Sequence, residues 1–452
     1  MTRDPNAEGP RRLRPFAKAV YGFGDHSVNL SLSALSMFFF FFLTEVAGLR
    51  PALAGGAIWL ARLFDAISDP WIGRFSDTRR WSVGRRRPFF LIGMLPFALA
   101  FGLLWRVPFD PEAGQGALFA YYTLVYMALS LATTTLSVPY LALLPEMARD
   151  YDDRTSLNAY RSAFAVMGTL FAVGFRYTAD EWGGDAEGYA TAALVFAVWL
   201  LVPWLPAFRV SFERADVTPR VAPPILEGLR EVAAHKNFVR LCGLFIAARI
   251  AVDVSAAALS YYTAYWLGRP DDLVLMMLVL LCSSVASLPI WLRIGKNHDK
   301  HRLFILGAGW WAVLIGGLFF IQPEFPRGVL IGLIALAGFG YCAADLIPWA
   351  MIGEVIDEDE LTTGQRREGV YNGFFTFMRK IAGASGVALM GVVFEAVGYV
   401  PDQPQGEGAL VAIRAATALA PAFFLLVAIS LAVGYPLTRA EHARIRAELD
   451  AR

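Results

Sequence analysis

Twelve runs long and apolar enough to cross a bilayer dominate the chain, at 19–47, 51–74, 88–107, 116–144, 157–177, 189–208, 238–267, 270–292, 303–322, 327–353, 370–398 and 409–436. A spanning helix needs about 20 mainly apolar residues. With 56% hydrophobic and 17% charged residues, a chain of 452 residues is too apolar for a soluble multi-domain protein. The tail before the first run is polar and Arg-rich, and that run is full length, so no cleavable leader is expected. Cys242, Cys282 and Cys342 lie inside apolar runs without paired spacing and read as packing residues.

Orientation follows from alternate loops. Arg3, Arg11, Arg12, Arg14 and Lys18 precede or open the first run. Arg74, Arg79, Arg80, Arg85, Arg86 and Arg87 follow the second, and Arg293, Lys296, Lys300 and Arg302 follow the eighth. The opposite loops hold only the isolated cations Arg50, Arg106, Arg269 and Arg327. Lys and Arg concentrate on the cytoplasmic side, so both termini are expected there.

At 61–87 the chain reads ARLFDAISDPWIGRFSDTRRWSVGRRR. Asp65 and Asp69 sit one helical turn apart on one face, with Arg62 on the same face. Each charge at membrane depth costs at least about 2.5–3.5 kcal/mol, so this stripe must face a polar interior. Two carboxylates at this spacing suit a small hard cation or a shared proton. In the other reading Arg62 neutralises one Asp and the set only locks two helices together.

Other intramembrane charges carry similar pairs of readings. Tyr21, Asp25 and Asn29 share one face, which lines a cavity, or Asp25 meets solvent at the cytoplasmic mouth. The five Phe residues at 38–42 cover every face of their helix and are expected against lipid or neighbouring helices. Arg161 contacts substrate or the segment-2 carboxylates, or pairs with an acid such as Asp25. Lys380, beside Arg379, places an ammonium that alternates with a coupling ion. Arg249 and Asp253, four apart, suit a pair along their own helix. Asp345 has a structural and a substrate-binding role open. Glu354, Asp357, Glu358, Asp359 and Glu360, with Arg366 and Arg367, read as a cytoplasmic loop. That loop is either solvated or forms salt bridges between halves.

Two internal echoes organise the chain. SVPYLALLPEMARDYDDRT (137–155) is matched six segments later by LIPWAMIGEVIDEDELTTG (346–364), and the basic turn at 73–88 has a shorter copy at 295–302. They predict two six-helix halves, 1–208 and 238–452, joined by a cytoplasmic linker at 209–237 with an amphipathic stretch near 226–234. No phosphate loop, HExxH or supported Ser/His/Asp arrangement is present, which argues against an enzyme.

YGFGD, ARLFDAISDPWIGRFSD, VPYLALLPE, DYDDRTSLNAYRSAF, IDEDELTTGQRREGVYNGFFTFMRK and VGYVPD occur in this order over nearly the whole chain. Together they resemble the glycoside–pentoside–hexuronide:cation symporter family of the major facilitator superfamily. The resemblance implies an all-α membrane protein of twelve helices in two pseudo-symmetric six-helix bundles, with no catalytic residue and no cofactor. It implies a cation site at Asp65 and Asp69 with Thr134 and Lys380, and with Ser68 where melibiose-type members carry Asn. Arg161 matches the family's helix-5 Arg. Asn29 and Ser137 replace the sugar-binding carboxylates of those members, and Leu141 their helix-4 Trp, which weakens the case for a galactoside. The basic turn resembles the superfamily's cytoplasmic signature, so Asp77, Arg85 and Arg86, with Glu354 and Arg366 in the other half, are gating candidates.

The expectation is a multi-pass protein of a bacterial inner membrane that works as a monomer in lipid and binds no nucleic acid. It couples H⁺ or Na⁺ to a glycoside or related polar solute by alternating access. Na⁺ would lie at Asp65 and Asp69, and the shorter Ser68 leans the choice to H⁺. Asn29, Arg161, Ser137, Tyr21, Asp25, Trp349 and Asp345 are the substrate-binding candidates. The alternative is a Na⁺-coupled lysophospholipid carrier, since the eukaryotic family of that kind shares the framework around WRVPFD, VPY and NAYR.

Overall fold

The computed structural model describes residues 13–78, 81–110, 114–148, 150–213, 232 and 234–451. Their regular elements are helices. Helix 1 is Pro15–Ala34, continued by the wider turns Leu35–Phe39 and Phe42–Val46. Helices 2 to 5 are Pro51–Thr78, Pro88–Leu104, Gln115–Met147 and Tyr151–Glu181. Helices 6 to 9 are Ala186–Val210, Lys236–Trp266, Asp272–Gly295 and Lys300–Phe320. Helices 10 to 12 are Arg327–Thr363, Glu368–Ala396 and Glu407–Ala432. A terminal helix, Arg439–Asp450, follows. Helices 4 and 6 to 12 are long and apolar enough to cross a membrane, and helix 3 is a shorter apolar one. Helices 1, 2 and 5 are the spans that carry Asp25, the Asp65/Asp69 stripe and Arg161, so their hydropathy is lowered by the residues of interest.

Contacts divide the chain into two units. One holds the described residues of Met1–Phe42 and Leu60–Arg220, the other those of Leu43–Trp59 and Val221–Arg452. The second unit takes in 43–59 from the expected first half, and most of the expected linker at 209–237 lies outside the described residues.

In the first unit helices 1 and 5 approach through glycine. A Cβ on Gly168 would lie 2.4 Å from the His26 carbonyl oxygen, so only the bare backbone fits. Small residues give membrane helices the close backbone packing that substitutes for a hydrophobic driving force. The Phe residues at 38–42 are all buried. Phe39 and Phe42 meet Trp105 edge-on at 5.4 and 5.2 Å, which settles their role as packing.

In the second unit helices 8, 9 and 10 cross on Gly338, Gly307 and Gly340, where an added Cβ would fall 1.9 to 2.6 Å from its neighbours. The tip at 43–59 packs into this unit. Thr44 and Tyr261 hydroxyls lie 2.5 Å apart, the Ala52 amide donates to Glu395 at 3.0 Å, and the Trp59 indole donates to Ser385 at 3.1 Å. Glu45 accepts from the Tyr265 and Tyr399 hydroxyls and from the Asp402 amide.

Helix 10 corrects one expectation. The acidic run after Gly353 is not a loop: the helix continues to Thr363 and stops at left-handed Gly364, φ 71°. Glu354, Asp357 and Asp359 are buried on it. The terminal helix covers this end, with the His442 ring 2.9 Å from Asp357.

Candidate functional site

Helix 2 brings Asp65 and Asp69 to a common partner on helix 4. The Thr134 hydroxyl lies 3.1 Å from Asp65 Oδ1 and 2.8 Å from Asp69 Oδ1. A hydroxyl has one proton to donate, so it serves one carboxylate at a time. Asp65 is only 5% exposed. Ser68 donates its proton to the Asp65 carbonyl at 3.1 Å, a local bond that fixes the hydroxyl one residue from Asp69. Arg62 approaches Asp65 no closer than 4.0 Å, and its guanidinium lies over the Tyr126 ring at 5.6 Å. The oxygens of Asp65, Asp69 and Thr134 thus converge, a donor set suited to a proton or a hard monovalent cation.

A second polar cluster of the same unit joins helices 1, 4 and 5. Arg161 donates to both oxygens of Asp25, and Tyr140 donates to Asp25 Oδ2 at 2.8 Å. Asn158 accepts from Arg161 Nη1 at 3.1 Å. Arg161 thus pairs with Asp25, and both side chains are largely buried. Asn29 turns its amide back to the Asp25 carbonyl at 2.8 Å. Ser137 is half-buried on helix 4, between Thr134 and Tyr140. Tyr21 departs from expectation. It has no exposed surface, its ring stacks on Tyr140 at 4.4 Å, and its hydroxyl donates to the Tyr140 carbonyl at 2.5 Å. It is scaffold behind the cluster and presents nothing to a solute.

In the second unit Arg249 on helix 7 binds Asp253 through Nε, at 2.9 Å, and through Nη2. Its Nη1 donates to Asp345 on helix 10 at 3.1 Å, so the pair expected along one helix also bridges two. Trp349, one turn beyond Asp345, packs edge-on against Phe245 at 5.4 Å and Phe375 at 5.0 Å. Lys380 is part-buried on helix 11 of this unit beside Arg379, while Asp65 and Asp69 belong to the first.

The gating candidates find their described partners inside their own units. Arg86 binds Asp77 and Glu146, each at 2.6 Å, and Arg85 binds Glu146 at 2.6 Å. Lys300 binds Glu354 at 3.0 Å, and Arg366 binds Asp357 at 3.1 Å and Glu360 at 2.5 Å. Sequence reasoning missed Tyr140 and Glu146, although both stand in the VPYLALLPE motif. It also missed Glu213, whose carboxylate accepts from the backbone amides of Arg85, Arg86 and Arg87 at 2.7, 2.7 and 2.9 Å. No sequence signal marks Glu213, because it opens a polar linker.

Comparison with known proteins gives one consistent pattern. The sequence profile described as MFS/sugar transport protein matches residues 20–439. The chain is 31% identical to an uncharacterized symporter of Synechocystis sp., covering 100% of this chain and 99% of that one. It is 28% identical to the glucuronide carrier protein homolog of Escherichia coli, covering 96% and 94%. In fold it is similar to the xylose transporter of Escherichia coli, at a TM-score of 0.65 and 14% identity over 96% of this chain and 99% of that one.

Proposed function

The chain belongs to the MFS/sugar transport protein family, and from that premise we propose that it couples the movement of a glycoside or hexuronide-type sugar to H⁺. It is a multi-pass membrane transporter of the major facilitator fold and not an enzyme. The observation that carries the coupling is the Thr134 hydroxyl within hydrogen-bond distance of both Asp65 and Asp69. Two carboxylate oxygens drawn to one hydroxyl repel each other, and one proton relieves that repulsion.

In this mechanism the ion binds first and neutralises the stripe. The site then accepts sugar, and the loaded form reorients because its buried charge is compensated. Asn29, Ser137 and Arg161 supply polar partners for sugar hydroxyls. Both termini are cytoplasmic and the membrane is a bacterial inner one, in keeping with the bacterial relatives. Na⁺ is the second reading, favoured by the hydroxyls of Ser68 and Thr134 beside the carboxylates. A lysophospholipid substrate is not favoured by relatives of this kind. The test is uptake into proteoliposomes across a panel of glycosides, uronides and lysolipids under an imposed ion gradient. Gradient-dependent accumulation of a sugar is expected, and uptake of lysolipid alone would refute the reading.

A further inference from the structure

A groove of about 700 Å³ opens in the second unit between the start of helix 7 and the end of helix 12. Ala234, Lys236, Val239, Arg240, Gly243 and Leu431 line it. It has two kinds of wall. Val239, which is 50% exposed, makes an apolar floor with Gly243 and Leu431. Gly243 keeps that floor low, since a Cβ there would stand 3.1 Å from a Leu431 methyl. Lys236 and Arg240, four apart and so one helical turn from each other, form a charged rim.

The two cations of the rim have no acid to balance them. Among the described residues neither is in an ion pair. Arg240 donates to the carbonyls of Leu431, Val433 and Gly434 at 2.7, 2.5 and 3.0 Å. A guanidinium has five N–H groups, so two are left over. The carbonyl end of a helix offsets only about half a unit of charge. The carboxylate of Glu358 is already taken: Asn237 donates to it at 2.8 and 2.9 Å, and the His235 ring lies 3.5 Å away. Lys236 is exposed at the very start of the span. Val433, whose carbonyl Arg240 holds, is 58% exposed, as apolar residues are where a span meets lipid.

We propose that this groove binds an anionic phospholipid, its phosphate on Lys236 and Arg240 and the first part of an acyl chain along Val239, Gly243 and Leu431. A soluble anion would use the rim and leave the floor in water, whereas a phospholipid uses both. Basic pockets between spans at the cytoplasmic surface, where this end is expected, suit such headgroups. The proposal rests on the membrane fold alone and is independent of the transported solute. Arg240 serves twice, closing the end of helix 12 and presenting charge to the lipid.

The test titrates purified full-length protein, in a neutral detergent, with two phospholipids that share palmitoyl and oleoyl chains. One is a phosphatidylglycerol, the other a phosphatidylcholine, and bound lipid is counted by native mass spectrometry. Wild type binds the phosphatidylglycerol more tightly. Lys236→Gln lowers that affinity about fivefold, the equivalent of about 1 kcal/mol for one basic residue at a lipid surface, and leaves phosphatidylcholine binding unchanged. Lys236→Arg keeps the preference. Arg240 is left intact, because its loss would also uncap helix 12. Glycerol phosphate, a headgroup without chains, competes weakly. Equal binding of the two lipids by wild type overturns the proposal, as does a Lys236→Gln variant with wild-type preference. Full competition by glycerol phosphate makes the groove a site for soluble anions and overturns the lipid assignment.

Discussion

Arg161 and Asp25 meet fork to fork, with Nε donating to Oδ2 at 2.6 Å and Nη2 to Oδ1 at 3.1 Å. Both side chains are largely buried, at 14% and 15% exposure. Removing one partner of such a pair strands a buried charge at a cost of about 3–5 kcal/mol, whereas replacing both with neutral groups costs far less. Asp25→Ala should therefore lower the thermal stability of the detergent-solubilised protein sharply. Asp25→Asn/Arg161→Gln should be the more stable of the two. A double variant as unstable as the single one would show that the pair is not what holds helices 1 and 5.

Coupling is tested at Asp69. Asp69→Asn keeps the side chain's size and removes a charge from the proposed ion site. The variant should insert normally, exchange sugar across the membrane at equal ion concentrations, and fail to accumulate it against a gradient. Accumulation at the wild-type level would exclude Asp69 from the coupling site.

Thr134 separates a bridging hydroxyl from mere packing. Thr134→Ser keeps the oxygen that reaches Asp65 and Asp69. Thr134→Val keeps the volume and loses it. Loss of one hydrogen bond to a charged group is worth about 1.5–3 kcal/mol, so the valine variant should need roughly tenfold or more coupling ion for half-maximal uptake. Serine should stay close to wild type. Equal behaviour of the two would assign Thr134 to packing alone.

Ion identity is read from the medium. Cells expressing the protein in weakly buffered, Na⁺-free medium should alkalinise it when sugar is added. Ser68→Asn, which extends a carbonyl oxygen where a hydroxyl stood, should introduce or strengthen a Na⁺ requirement. Wild-type uptake that demands Na⁺ and moves no protons would replace H⁺ with Na⁺ in the mechanism.

The spans were legible because crossing lipid imposes a length and a polarity that single residues cannot disguise. The Asp65/Asp69 stripe was legible because two charges on one face of an apolar helix need a shared reason. Their geometry was harder to read. Tyr21 shares the face of Asp25 and Asn29, yet it is covered by Tyr140. Gly24 admits that ring, since a Cβ there would sit 3.0 Å from it. Such a cover depends on how two helices rotate against each other, which periodicity on one of them does not encode. Helix 10 was cut short for a related reason. A run of acids reads as loop until Arg366, Arg367 and the terminal helix are seen to neutralise it.

Residues 43–59 also set an order of assembly. Thr44, Glu45, Ala52 and Trp59 bond to residues between 217 and 357 positions further along the chain. At translation speeds of about 5–20 residues per second, that separation is a delay of roughly 10–70 s between synthesis of the tip and synthesis of its partners. During that interval the Glu45 carboxylate has no tyrosine to receive it and must stay hydrated at the membrane surface. The first helical pair is thus inserted early and finished late. Ribosome-stalled chains ending before Tyr399 should leave a cysteine placed at position 45 open to a water-soluble thiol reagent, and full-length chains should close it.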